Sequence, residues 1–171
     1  MNEIHERKNQ VKATAIILIL VCLAAFVGLG YLYMTSSVIV TDVELAVCEA
    51  NTQTALFGEL KTQVTNGNAA ATIFSENIPE TPDECVFLQY SVKLENKTFV
   101  PAEQIEIRVT PSLPGDYVQM AETMPVDLAP GKRGTVNAVL LAEQKARTTR
   151  EMIISYYLWG LPFFIRTTYS R

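Results

Sequence analysis

An uncharged apolar run near the N-terminus, Ala13–Met34, constrains this chain more than any other feature. Its 22 residues include no charged residue, no proline and no amide side chain, and eleven of them are Leu, Ile, Val or Phe. As a helix the run is about 33 Å long, enough to cross the ~30 Å hydrocarbon core of a bilayer. Because it is apolar on every side, it is typical of a transmembrane helix rather than of an amphipathic core helix.

The charges on either side of this run predict its orientation. Arg7, Lys8 and Lys12 precede it, and the next basic residue is Lys61. The positive-inside rule therefore predicts an N-terminus in the cytoplasm and a large C-terminal part outside the cell membrane. The predicted domains are a cytoplasmic tail (1–12), a transmembrane helix (13–34) and an extracytoplasmic domain (35–171). A cleaved signal peptide is the alternative, although its apolar stretch is usually shorter and ends at a small-residue cleavage site.

The charge of the rest of the chain is unevenly distributed. Residues 42–131 contain fourteen acidic and four basic side chains, whereas residues 132–171 contain seven basic and two acidic ones. An acidic and a basic flank can steer a protein partner or orient a domain over anionic lipid, although both are also ordinary solvated surface. No basic run is interleaved with aromatic residues, so we expect no nucleic-acid partner.

Alternating apolar and polar residues predict a β domain after the helix. In the clearest strand, Cys85–Glu95, one face is apolar and carries Val86, Leu88, Tyr90, Val92 and Leu94. Further strands are predicted at 38–50, 69–75, 105–110, 117–120, 135–141, 152–159 and 162–169, and the region 51–65 fits either a short helix or weak strands. Seven or eight short strands without a long amphipathic helix predict a mainly β fold of two packed antiparallel sheets.

The turns between these strands resemble those of a known domain family. The segments YSVKLENKTFVPAEQIEIRV, GDYV and LAPGKRGTVNAVLL are similar to the strand–Asn-turn–strand, Gly-Asp/Tyr and Leu-x-Pro-Gly layout of immunoglobulin-like domains that follow an N-terminal anchor in bacterial extracytoplasmic proteins. The resemblance covers residues 87–141 and implies an immunoglobulin-like antiparallel β-sandwich. It implies no activity, because many members of that group have none assigned. The C-terminal hairpin is more aromatic than the resemblance leads one to expect.

Two of the three cysteines, Cys48 and Cys85, fall in the predicted outer domain, where a disulfide is permitted. A bridge between them would close a loop of about 37 residues and stabilise the fold by roughly 3–4 kcal/mol. Two unpaired thiols are the alternative. Cys22 lies inside the apolar run.

The sequence contains no recognisable catalytic set. His5, in the predicted cytoplasmic tail, is the one histidine, so a Ser-His-Asp triad, a Cys-His pair and most zinc sites have no base or ligand in the outer domain. Glycine-rich phosphate loops are also missing. Calcium would need several oxygens from one loop, and the nearest candidates are Glu76, Glu80, Asp83 and Glu84. Because this run lacks the dense Asp/Asn spacing of calcium loops, we expect solvated loop charge instead. We expect no enzyme activity, no metal and no cofactor.

Asn96-Lys97-Thr98 fits a glycosylation acceptor, but it also fits an ordinary turn, which we expect in a bacterial protein.

The best candidate for function is an aromatic segment near the C-terminus. A strand cannot bury both Tyr156 and Tyr157, because neighbouring residues face opposite sides of a sheet. Exposed aromatic rings beside arginine are typical of a protein-interaction patch. The candidate patch consists of Tyr156, Tyr157, Trp159, Phe163, Phe164, Arg150 and Arg166. A fully covered hairpin is one alternative, and a tip that dips into the membrane interface at 159–162 is another.

These observations predict a single-pass protein of the lipid bilayer whose outer domain is a binding or assembly module. Its expected partner is another envelope or membrane protein. The alternative is an accessory subunit of a larger membrane complex that contacts its neighbours through the transmembrane helix. A third hypothesis, an enzyme or a small-ligand carrier that uses clustered carboxylates, needs a deep pocket with two carboxylates of raised pKa.

Overall fold

The structure is a computed structural model that describes residues 2–35, 37–67, 71–120 and 125–170. It divides into two compact units, Met1–Ser37 and Val38–Arg171. The first two residues of the strand predicted at 69–75 lie outside the described residues.

The first unit is a single helix, α1 (Asn2–Thr35). Its segment Thr14–Tyr31 is long and apolar enough to cross a membrane, and none of it is buried against protein. Such a helix is suited to be a membrane anchor or a signal sequence. The helix starts well before the predicted span, because the preceding Glu, Arg, Lys and Gln residues are good helix formers that extend an existing helix without a new nucleation step.

The second unit is mainly β, as predicted, with nine described strands in two antiparallel sheets. The strands are β1 (Val38–Glu49), β2 (Ala71–Ile73), β3 (Cys85–Asn96), β4 (Ala102–Val109), β5 (Asp116–Met120), β6 (Val126–Leu128), β7 (Arg133–Glu143), β8 (Arg150–Leu158) and β9 (Leu161–Tyr169). The strand that the sequence analysis missed is β6, whose three residues are too few to show alternation.

Sheet one has the strand order β1-β3-β7-β5-β2, and sheet two has the order β6-β4-β8-β9. Without β2 and β6, these orders correspond to strands ABED and CFG of a constant-type immunoglobulin sandwich. The expected immunoglobulin-like strand order is therefore present. The segment between β1 and β3 is an addition to that plan.

The inner faces of the two sheets form the main core. The apolar face predicted for β3 is buried, as are Ile105, Ile107 and Val109 of β4. Strands β7 and β8 supply further core side chains, which include Leu140, Met152 and Ile154. Gln119, on β5, connects the sheets at one side of the sandwich. Its amide donates to Ile107 O and accepts from Val109 N, both at 2.8 Å. Strand β6 pairs with β4 only as far as Ile105, so Gln119 supplies the hydrogen-bond partners that the next backbone groups of β4 need.

A second core lies on the side of sheet one that is turned away from sheet two. Residues 51–65, left open between helix and strand by the sequence, form a short 3₁₀ turn (Ala50–Gln53) and helix α2 (Thr54–Thr65). The helix buries three side chains at helical spacing, Phe57, Leu60 and Val64. They pack in one cluster with outward residues of sheet one, among them Cys85, Phe87, Val118 and Leu141. Strand β3 is therefore buried on both faces at its N-terminal end, although only one buried face was predicted.

Candidate functional site

The C-terminal hairpin consists of β8, β9 and a two-residue turn, Trp159-Gly160. Leu158 pairs with Leu161 across the turn, and the φ angles of Trp159 and Gly160 are 53° and 73°. Two successive positive φ angles are typical of the type I′ turn that connects twisted antiparallel strands. The strands predicted at 152–159 and 162–169 imply a turn at Gly160-Leu161. The observed turn begins one residue earlier, which puts Trp159 at the tip.

Two members of the predicted patch face the interior. Tyr156 is 4% exposed and stacks on Phe163, with the ring centroids 5.8 Å apart. Both rings are part of the sandwich core, where Phe163 is half-buried. Both rings therefore contribute to packing and face the other sheet rather than the outside of sheet two.

Arg150 is a third predicted patch residue that lies inside the protein. Its Nη2 and Nε donate to the two carboxylate oxygens of Asp116 at 2.6 and 3.0 Å, and both side chains are almost fully buried. Asp116 also accepts from the backbone N–H of Ser112 at 2.6 Å. A two-pronged pair of this kind satisfies both charges away from water. Arg150 therefore connects β8 to β5 and is not part of an exposed patch.

The remaining hairpin residues form an exposed surface, here called the outer face, made of Tyr157, Phe164 and Arg166. The side chains of Tyr157 and Phe164 are 39% and 69% exposed. Phe164 pairs with Ser155, and Arg166 pairs with Ile153 and lies 3.8 Å from the Glu151 carboxylate. Strand β4 extends the same surface on the other side of β8. Its residues Glu103, Glu106 and Arg108 pair with Tyr157, Ser155 and Ile153. The outer face therefore consists of two aromatic rings and an arginine, bordered by charges of both signs on paired strands.

A second exposed group, here called the tip cluster, is made of Phe99, Trp159 and Leu161. The three side chains are 55%, 45% and 53% exposed. The rings of Phe99 and Trp159 have centroids 5.5 Å apart and are tilted by 50°. Sequence reasoning missed Phe99, which lies in the turn after β3; its isolated position in a polar turn was the available signal.

Asn96 holds the turn that carries Phe99. It is fully buried, its Nδ2 donates to Val100 O and Leu128 O, both at 2.8 Å, and its Oδ1 accepts from Thr98 N at 2.9 Å. The amide nitrogen that a glycan would modify is thus already used in the fold. This geometry agrees with the ordinary turn expected at Asn96-Lys97-Thr98.

The loop carboxylates proposed for calcium have other partners. Lys61 Nζ lies 3.1 Å from Glu80, Asn51 Nδ2 donates to Asp83, and Thr81 donates to Glu84. Within the described residues, no group of three or more metal-ligating side chains comes together. Glu76 lies in the same loop and is exposed.

One cleft contains two carboxylates, those of Glu84 and Glu143, beside Tyr117. Its volume is about 170 Å³, below the ~300–1,000 Å³ of pockets that enclose small ligands. Burial, with Glu84 and Glu143 nearby, raises the pKa of the neighbouring Cys85 thiol to about 11. That thiol is therefore protonated and a poor nucleophile at neutral pH.

Lys93 binds two carboxylates on the outer side of sheet one. Its Nζ lies 3.0 Å from Asp42 and 2.5 Å from Glu44. The hydrogen bond from Lys93 lowers the pKa of Asp42, and the bonds to Glu44 and Asp42 raise the pKa of Lys93. All three groups are exposed to solvent, so these ion pairs contribute little to the free energy of unfolding.

Cys48 and Cys85 are free thiols in the structure, as is Cys22, and the disulfide considered from the sequence is absent. Strand register gives the reason. Cys48 is opposite Phe87, two residues from Cys85, so the cysteines are diagonal neighbours with β-carbons about 7 Å apart. A disulfide needs about 3.5–4.5 Å. Cys48 Sγ instead lies 3.2 Å from the Thr52 hydroxyl.

Comparison of the chain with protein-family models, with curated proteins and with solved structures gave no match.

Proposed function

We propose that the protein is a single-pass membrane protein whose β-sandwich is an extracytoplasmic binding or assembly module. The uncovered apolar segment Thr14–Tyr31 supports the anchor. The basic residues Arg7, Lys8 and Lys12 support a cytoplasmic N-terminus. Three residues after α1 the sandwich begins, which would hold it close to the membrane on the other side.

The observation that carries the binding role is the exposure of Tyr157 and Phe164 on the outer face. Apolar rings on paired strands have little conformational freedom to lose on binding, and a nearby arginine supplies directional hydrogen bonds. On sheet one the chain covers its own outward aromatic residue with α2. The partner proposed for the outer face is a protein, another component of the envelope or membrane.

Site-specific photocrosslinking in native membranes tests this proposal. A photoreactive phenylalanine analogue at position 164 is expected to give a discrete crosslinked product, and Tyr157→Ala is expected to reduce it several-fold. The matched control carries the same analogue at position 113, because Leu113 is similarly exposed, at 64%, in the loop between β4 and β5. Equal products at both positions, or none at 164, would remove the outer face from the proposal.

In the alternative, an accessory subunit of a larger membrane complex, the helix itself contacts the partner through the large apolar side chains that are exposed in Thr14–Tyr31. Replacing this segment with an unrelated apolar span distinguishes the two. The crosslink at position 164 persists if the outer face binds the partner, and is lost if the helix does.

Added protease should remove the sandwich from intact cells if the proposed topology is correct.

A further inference from the structure

The tip cluster lies at the end of the sandwich where the chain enters it. Val38, the first residue of β1, pairs with Asn96 at the end of β3. The turn that follows Asn96 carries Phe99, whose ring contacts Trp159. The end of β8 and the start of β9 lie at this same end of the sheets, because β4 begins beside them.

Few residues separate the end of α1 from the start of the sandwich. Helix α1 ends at Thr35 and β1 starts at Val38, and three residues of extended chain span at most about 11 Å. If α1 crosses the bilayer as proposed above, the loops beside Val38 are within reach of the headgroup layer. The present inference rests on that part of the proposed function.

The loops at this end have the composition of a lipid-contacting surface. The loops described here are residues 97–101, 129–132 and 159–160, which contain Lys97 and Lys132 but no carboxylate. The adjoining strand ends carry Glu95 and Glu103. Tryptophan and phenylalanine favour the interfacial layer, and lysine near the surface is attracted to anionic headgroups. The loop at the opposite end of β3 is instead acidic, with Glu80, Asp83 and Glu84.

The backbone at Trp159 places a large ring at a turn position that usually carries glycine or asparagine. A positive φ, here 53°, costs a side chain other than glycine or asparagine roughly 1–2 kcal/mol. The residue remains 45% exposed, so much of the surface of its ring is still available for burial outside the sandwich. Insertion into an apolar layer would bury the remainder.

We infer that the tip cluster inserts into the headgroup layer of the bilayer that holds the anchor, with Lys97 and Lys132 against anionic lipid. The contact is a second attachment point, separate from the outer face.

Trp159 is the one tryptophan of the chain, so its fluorescence reports this contact directly. The experiment uses the full chain in vesicles of phosphatidylcholine with anionic phosphatidylglycerol. Lipids brominated near the headgroup are expected to quench Trp159 at least about twofold more than a tryptophan at an exposed position away from the tip. Dissolved acrylamide is expected to show the opposite order.

The control is the double variant W159F/L113W, which moves the reporter to the loop after β4, at the opposite end of the sandwich. Equal lipid quenching of the two proteins would overturn the inference. The variant K97E/K132E is expected to lower lipid quenching of Trp159 in anionic vesicles and to have little effect in neutral ones. Unchanged quenching in anionic vesicles would also contradict the inference.

Vesicle flotation separates the two proposals. A full chain that floats with vesicles while Trp159 remains open to acrylamide would overturn the lipid contact and leave the anchor intact. A full chain that does not float would overturn both.

Discussion

Phe87 and Phe164 both point outward from a sheet of the sandwich, yet their surroundings are opposite. Phe87, on sheet one, is 3% exposed under α2, whereas Phe164, on sheet two, is 69% exposed. The chain between β1 and β3 supplies the cover for Phe87. An outward aromatic residue on a strand is therefore part of the core in one sheet and a candidate binding residue in the other. The two residues differ because α2 packs over Phe87, whereas Phe164 is exposed to solvent.

The hairpin repeats this contrast between its two arginines. Arg150 and Arg166 were both predicted to flank an exposed patch, but Arg150 is 2% exposed against Asp116 and the Arg166 side chain is 66% exposed. The same residue type therefore has a structural role at one end of the hairpin and a surface position on its outer face.

The largest expected effect is that of Arg150→Met. Removing one partner of a buried ion pair leaves Asp116 charged without compensation, which costs about 3–5 kcal/mol. Arg166→Met is the matched control, with an expected change within about 0.5 kcal/mol. Urea unfolding of the full chain in detergent, followed by circular dichroism, measures both. Similar losses for the two variants would break the distinction between the arginines.

Leu60→Ala tests whether α2 is the cover of sheet one. Leu60 is 3% exposed in the second core, and such truncations lower the free energy of unfolding by about 2–5 kcal/mol. Leu113→Ala, at an exposed leucine, should change it by less than about 0.5 kcal/mol. If the two variants unfold at the same urea concentration, α2 contributes no more to stability than a surface loop.

Alkaline pH tests burial on the two faces of β3. Burial raises the pKa of Tyr90, in the main core, to about 12, and that of Cys85, under α2, to about 11. The unfolded chain releases these protons first, near pH 10.0 and 9.0. Ionisation therefore favours unfolding, and stability is lost as the pH rises from about 9 to about 12.

Single variants separate the two faces. Cys85→Ala should remove the lower part of the pH-dependent loss, and Tyr90→Phe the upper part. Tyr90→Phe also loses a hydrogen bond of 2.7 Å to Thr148 O, so its stability at neutral pH should fall by about 1 kcal/mol. Urea midpoints across this pH range measure both effects. A pH dependence that is unchanged in both variants would show that other groups control it.

The smallest stability effect is expected for Phe164→Ala, within about 0.5 kcal/mol, because the ring is exposed. Under the proposed function the same substitution should strongly reduce capture of the partner in native membranes. A loss of more than about 1 kcal/mol would mean that Phe164 is part of the fold, as Phe87 is.

Strands β3 and β4 could be predicted from the sequence because an alternation of apolar and polar residues indicates one buried face. Leu88, Val92 and Ile107 are buried as their spacing indicates. Alternation does not reveal what lies on the other side of a strand, so the second buried face of β3 and the role of residues 51–65 were not predicted. Both depend on where α2 packs.

The candidate site could be predicted only as a region. The aromatic content of the hairpin was visible, but the turn at Trp159-Gly160 determines which rings face outward. The partner of Arg150 is 34 residues away in the chain, and the partner of Trp159 lies in the turn after β3. Residues that meet only after folding leave no local pattern in the sequence.

The sequence by itself determined an apolar helix of membrane-spanning length and a β-rich domain, because length, composition and period are local properties of a chain. Tertiary structure alone decided that α2 covers sheet one, that Arg150 is an interior residue and that Phe99 joins Trp159 at the tip. Each of these outcomes depends on the packing of segments distant in sequence, and packing decides which side chains remain in contact with solvent.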